Sequence, residues 1–200
     1  MKSQSTIVPY EDNYLFGFMN LDTQIVITPK YVFVRPFAKN GLAKVLEEDG
    51  QFGFIDTTGH EIIPCKYSFI QDFSEGLAVA TLEGEDYYLK GYIDQKGKTV
   101  IPHKYIEAYD FKEEVAEIWK NRKSGLINRK GKQIVGYEYD AISEFSNGLA
   151  SVELEGKWGF VDKKGKLIAQ ELYDHRNDPT ELVNVANNKA YKADLARHEA

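Results

Sequence analysis

A short segment that returns along the chain constrains its fold more than any other feature. Gly53-Phe54-Ile55-Asp56-Thr57-Thr58-Gly59 recurs as Gly91-Tyr92-Ile93-Asp94-Gln95-Lys96-Gly97, as Gly125-Leu126-Ile127-Asn128-Arg129-Lys130-Gly131 and as Gly159-Phe160-Val161-Asp162-Lys163-Lys164-Gly165. A degenerate copy opens the chain at Gly17-Phe18-Met19-Asn20, with Thr23 in place of the closing glycine. Eight residues beyond that last position a tyrosine follows each time, at Tyr31, Tyr67, Tyr105, Tyr139 and Tyr173. A second block, opening on Phe37, Phe73, Phe111 and Phe145, precedes four of the copies. The period is roughly 34 to 38 residues, a spacing at which each unit buries its apolar face only by stacking on its neighbours.

Each column has a local physical reading. Asp or Asn at the first turn position bonds its own backbone, and the glycine supplies the positive φ of the bulge after a type I turn, so strands flank every such turn. Leu42-Ala43-Lys44-Val45 and Leu77-Ala78-Val79-Ala80 form an earlier strand. Ile62-Ile63-Pro64 and Val100-Ile101-Pro102 end a later one, because proline stops ladder donation. The unit is therefore three strands with a short fourth, and 13 Tyr, 11 Phe and 2 Trp agree with strands. The expected fold is all-β: tandem hairpin or three-stranded repeats in an open solenoid-like or propeller-like array over residues 1–174. A separate segment follows at 175–200.

The stretch Gly148-Leu149-Ala150-Ser151-Val152-Glu153-Leu154-Glu155-Gly156-Lys157-Trp158-Gly159-Phe160-Val161-Asp162-Lys163-Lys164-Gly165-Lys166 resembles the consensus of the WG (or KWG) repeat family of bacterial proteins. Phe16 and Phe52 stand where Trp158 does, while Lys90 and Ser124 leave the aromatic out. The resemblance covers about residues 14–174 and implies a β-repeat scaffold without a general ligand. The C-terminal stretch of about residues 166–199, with Glu171-Leu172-Tyr173-Asp174 and Asp178-Pro179, resembles the end of iduronate-sulfatase-like enzymes. A strand, a turn and a short helix from about Asn188 are expected there, the helix capping the array. The sulfatase nucleophile is a cysteine in a C-x-P-x-R motif. Here the sole cysteine lies in Pro64-Cys65-Lys66-Tyr67-Ser68, so no active-site residue carries over.

The remaining signals narrow the function class. A net charge of −6 argues against nucleic acid or an anionic membrane as partner. Lys120, Arg122 and Lys123, and Lys163, Lys164 and Lys166, read as solvated hairpin turns. With one cysteine no internal disulfide forms, and a cytoplasmic location is expected. The column Cys65, His103, Tyr137 and Glu171 offers a metal or acid–base row, but its members have no local ligand spacing, and no metal or other cofactor is expected. The Asp/Asn column is explained by turn chemistry rather than by calcium. The phenylalanine column reads as core. The tyrosines are the better candidates for a ligand groove, with Tyr67, Tyr105 and Tyr139 the residues singled out. The expected function is a non-catalytic scaffold that binds a protein or a glycan. The alternatives are a sulfatase-related hydrolase fragment and a structural spacer.

Overall fold

The computed structural model describes residues 6–84 and 87–171, and all regular structure among them is β. The chain divides into two compact units, one ending at residue 104 and the other starting at 105. The first unit holds three sheets. Its first sheet is β1 (Ile7–Asp12), β2 (Leu15–Asn20) and β3 (Ile25–Tyr31). The second is β4 (Phe33–Val34), β5 (Ala43–Leu46), β6 (Phe52–Ile55) and β7 (Glu61–Tyr67). The third is β8 (Phe69–Ile70), β9 (Leu77–Glu83), β10 (Tyr88–Asp94) and β11 (Thr99–Tyr105).

The second unit holds two more sheets. The fourth is β12 (Glu107–Ala108), β13 (Val115–Lys120), β14 (Lys123–Asn128) and β15 (Gln133–Tyr139). The fifth is β16 (Ala141–Ile142), β17 (Leu149–Leu154), β18 (Lys157–Asp162) and β19 (Leu167–Glu171). Every sheet is an antiparallel meander in chain order. The all-β repeat class expected from the sequence is the class observed, and the short fourth strand is a two-residue strand that opens each of the last four sheets. The expected C-terminal helix and the sulfatase-like stretch fall almost wholly outside the described residues. Among the described residues no helix is long and apolar enough to cross a membrane.

The repeat turns form as their residue types require. Asp56 Oδ1 accepts from the Thr58 and His60 amides at 2.8 and 3.0 Å, and Asp94 Oδ1 accepts from those of Lys96 and Lys98 at 2.9 Å each. Asn128 and Asp162 repeat the arrangement on Lys130, Lys132, Lys164 and Lys166. These oxygens are committed to the turn, which explains the column without a cation.

One strand end differs from expectation. Pro64 does not stop the third long strand, which continues to Tyr67. The register jumps from Phe54↔Ile63 to Phe52↔Tyr67, so the strand bulges outward around Pro64 and no ladder donor is needed from the proline. Gly53 sits opposite the bulge, and a Cβ there would lie 2.5 Å from the Ile63 carbonyl oxygen. This close approach of two backbones is why glycine recurs in the column.

Sheets pack face to face within each unit. Phe18, Ile27 and Tyr31 of the first sheet meet Ala43, Val45 and Ile55 of the second. The opposite face of the second sheet, with Phe54, Ile63 and Tyr67, meets Ile70, Ala78, Ala80 and Ile93. In the second unit Leu126, Val135 and Tyr139 meet Ile142, Phe145, Val152 and Val161. Strands buried on both faces read as continuous apolar runs, which is why Leu77–Ala80 shows no alternation. The first sheet lacks the short strand. Its β1 carries Pro9 opposite Phe18, the place Lys44 holds opposite Phe54, where the Lys44 carbonyl accepts from the amide of Arg35, the residue after β4. Pro9 has no N–H to offer at that edge, which blunts it against pairing with another strand.

Candidate functional site

The tyrosines mark corners. Tyr31, Tyr67, Tyr105 and Tyr139 each end a long strand, and after a single intervening residue the chain starts the short strand of the next sheet. Their rings are buried, with Tyr67, Tyr105 and Tyr139 only 1, 5 and 6% exposed. Rings enclosed to that degree cannot stack on a ligand arriving from solvent. The groove role assigned to Tyr67, Tyr105 and Tyr139 is therefore corrected to packing: the strand's change of sheet turns them inward. Burial pushes their hydroxyl pKa values up.

What the chain offers to a ligand lies next to the phenylalanine column. Between the second and third sheets a solvent-open cleft of about 410 Å³ is lined by Arg35, Lys39, Asn40, Lys44, Asp72, Gly76 and Gln95 over Leu42, Phe54 and Phe73. Phe54 and Phe73 pack at 5.1 Å between ring centroids and form an apolar floor. Asp72 bridges two cations, with Lys44 Nζ 2.7 Å from Oδ1 and Arg35 Nη1 2.9 Å from Oδ2. The Lys44 side chain is 7% exposed, and its ammonium also donates to the Ile70 carbonyl at 3.0 Å. A buried ammonium is tolerated only with such partners. Exposed Phe69, on β8, lies with its ring 5.9 Å from Lys44 Nζ.

The Lys44 hydrogen bond, then its charge and that of Arg35, hold the Asp72 carboxyl below its ordinary value of 3.8. A carboxyl whose pKa is lowered on folding contributes stability above its unfolded value and loses that contribution as pH falls through the folded one. Asp72→Asn should thus melt below the parent near neutrality, with the gap closing as pH drops below about 3.8. A gap that stays constant to pH 2 in thermal melts contradicts the pairing.

The polar column does not assemble. Cys65 packs against the core shared by the first two sheets, and His103 stacks on Tyr67 at 5.9 Å. Each faces a tyrosine of the preceding repeat instead of its column neighbour, and Glu171's side chain lies outside the described residues. Among the described residues no cluster of three His, Cys, Asp or Glu could hold a metal. Burial, reinforced by Glu47 and Glu61, pushes the Cys65 thiol up to about 12. The thiolate is the reactive form, so Cys65 should react with a thiol reagent at pH 8 at least about a hundredfold slower in the folded chain than in urea. Equal rates would mean that the thiol is accessible and unperturbed.

Sequence reasoning missed the cleft because its walls come from separate repeats. One signal was present: Lys44 interrupts an apolar strand at the place where Val79 stands in the next repeat.

Five stretches, residues 16–50, 52–85, 91–123, 125–158 and 158–175, match the family described as WG containing repeat. The chain belongs to that family. No curated protein matches it. Among solved structures, BamB from Moraxella catarrhalis is similar at 11% identity and a TM-score of 0.43, over 82% of this chain and 57% of that one. Kluyveromyces lactis Hsv2 is similar at 8% identity and 0.44, over 84 and 61%. A chain of a nidogen/laminin complex is similar at 9% and 0.38, over 86 and 78%. The chain thus spans less than two thirds of the BamB and Hsv2 chains it matches, and likenesses this distant carry no functional argument. The WG repeats make this chain a repeated β module of the binding or structural kind.

Proposed function

We propose that this WG-repeat chain is a non-catalytic scaffold that binds a protein ligand in the cleft between its second and third sheets. The observation that carries this reading is the combination in one cleft of an apolar floor, Leu42, Phe54 and Phe73, with a charged rim, Arg35, Lys39, Lys44 and Asp72. Concave sites with a few convergent polar groups over apolar walls are where ligands bind. Repeat arrays present such surfaces without needing a catalytic group. A peptide supplies both an apolar anchor for the floor and charges for the rim, whereas a neutral glycan would leave the ion pairs without counterparts.

The test pans a random peptide library against the immobilised chain, beside a glycan array and an assay with a generic aryl sulfate and divalent metal. The expected result is a family of peptides whose binding is lost in Arg35→Glu. Aryl sulfate turnover would contradict the non-catalytic reading. Binding to glycans alone would contradict the choice of ligand, and no ligand from either source would leave the spacer role in its place.

A further inference from the structure

We propose that the cleft between the second and third sheets is a carboxylate subsite, built to take an acidic side chain of a bound peptide. This rests on the binding reading above and specifies the ligand's chemistry. Its basis is that the repeats carry the same place twice, and the chain fills one of the two itself.

The filled copy lies between the fourth and fifth sheets. There the Glu113 carboxylate, on the turn that precedes β13, crosses to the fifth sheet and accepts from the Gly148 amide at 2.9 Å. It also meets Lys163 Nζ at 2.9 Å. Lys163 first, then the Gly148 and Asn147 amides, hold the Glu113 carboxyl below its ordinary range. This corner of the fold is thus a working carboxylate receptor, with an amide and a side chain from one sheet converging on an acid from the sheet before it.

The repeat places Gly76 where Gly148 stands and Gln95 where Lys163 stands, and both line the open cleft. The backbone at the two glycines is the same, with φ of 80° at Gly76 and 83° at Gly148. What differs is the occupant. The corresponding turn of the second sheet, one residue longer, carries Lys39-Asn40 where the fourth carries Glu113, so no carboxylate of that turn reaches Gly76. The cleft keeps its donors: the Gly76 amide, the Gln95 side-chain amide, the Lys39 ammonium and those N–H groups of Arg35 not given to Asp72. Three cations line it against one carboxylate, Asp72, which is already engaged by Lys44 and Arg35. An acid from outside completes the set that Glu113 completes internally, and a glutamate side chain is favoured over an acidic sugar because the internal occupant is one. Charge-assisted bonds to amide and guanidinium donors are the strong kind.

The experiment follows the Gly76 amide and the Gln95 side-chain amide by 15N–1H correlation spectra of the full chain. The spectra are titrated with acetyl-Glu-Glu-Glu-amide, acetyl-Gln-Gln-Gln-amide and glucuronate. Saturable shifts of both groups with the glutamate peptide alone are expected. Lys39→Glu, which installs an internal acid, should abolish them, and Glu113→Ala should make the Gly148 amide respond as well. Thermal melts check that both variants fold. If Lys39→Glu does not, Lys39→Gln should still weaken the titration up to about fivefold, the size of one exposed ion pair. A still Gly76, an equal response to the glutamine peptide, or a response to glucuronate alone overturns the proposal. Panned peptides that bind while Gly76 ignores acidic probes would sink the carboxylate subsite and leave the scaffold reading standing. Failure of the panning with a responsive Gly76 would do the reverse.

Discussion

Tyr67→Ala should unfold in urea with about 3 to 5 kcal/mol less stability than the parent, the range for emptying a buried aromatic site. Tyr67 is 1% exposed and packs with Phe54, Ile63, Ile70 and Ile93 at the interface of the second and third sheets. Its ring also carries His103, stacked at 5.9 Å. Truncation leaves a cavity walled by two sheets that are tied to their own ladders, so little collapse can offset the loss. Tyr67→Phe keeps the ring and should cost on the order of 1 kcal/mol or less. Equilibrium unfolding of the three proteins decides the matter. If the alanine variant matches the parent, the ring is not part of the core, and the groove role first assigned to Tyr67, Tyr105 and Tyr139 regains its ground.

Gly91→Ala should be almost as damaging, by about 3 kcal/mol, although it adds a single methyl group. A Cβ at Gly91 would lie 2.7 Å from both the Ile101 carbonyl oxygen and the His103 amide nitrogen. These are backbone atoms of the neighbouring strand, not flexible side-chain ends, so relief requires β11 to move away from β10. Overpacking that displaces backbone typically costs 1–3 kcal/mol, and occasionally more. Gly50→Ala supplies a control of another kind: its Cβ would meet nothing within 4 Å, and its cost comes only from a φ of +82°. Gly91→Ala should therefore disturb the pairing of β11 with β10 as well as stability, read as shifted amide resonances along 100–104. An unchanged melt in Gly91→Ala would show that the strands are not held at this distance.

How much of this was legible depended on whether a residue's role is set within its own repeat. The Asp/Asn–Gly turns were readable because Asp56, Asp94, Asn128 and Asp162 bond backbone amides two and four residues on. The phenylalanine column was readable as core in part because its spacing repeats: Phe111 and Phe145 are buried, while Phe37 and Phe73 are half-buried and Phe73 also lines the cleft. The tyrosines were misjudged because recurrence marks a structural corner as readily as a binding row, and only the strand's change of sheet separates the two. Pro64 was misjudged because a bulge removes the need for its missing N–H, and the bulge depends on Gly53 of another strand. The cleft left one trace in the sequence, Lys44 within an apolar strand, and its walls left none. Arg35 and Asp72 are 37 residues apart and Glu113 and Gly148 are 35 apart, so these contacts exist only once consecutive sheets are stacked.

The measurement closest to the central claim maps a panned peptide onto the full chain by amide chemical-shift perturbation. The expected result is that the affected amides cluster in residues 35–44, 72–77 and 95, that Arg35→Glu abolishes the effect, and that Cys65→Ser leaves it intact. Perturbations gathered at the far hairpin tips around Tyr14 and Tyr87, with the cleft amides unmoved, would contradict it.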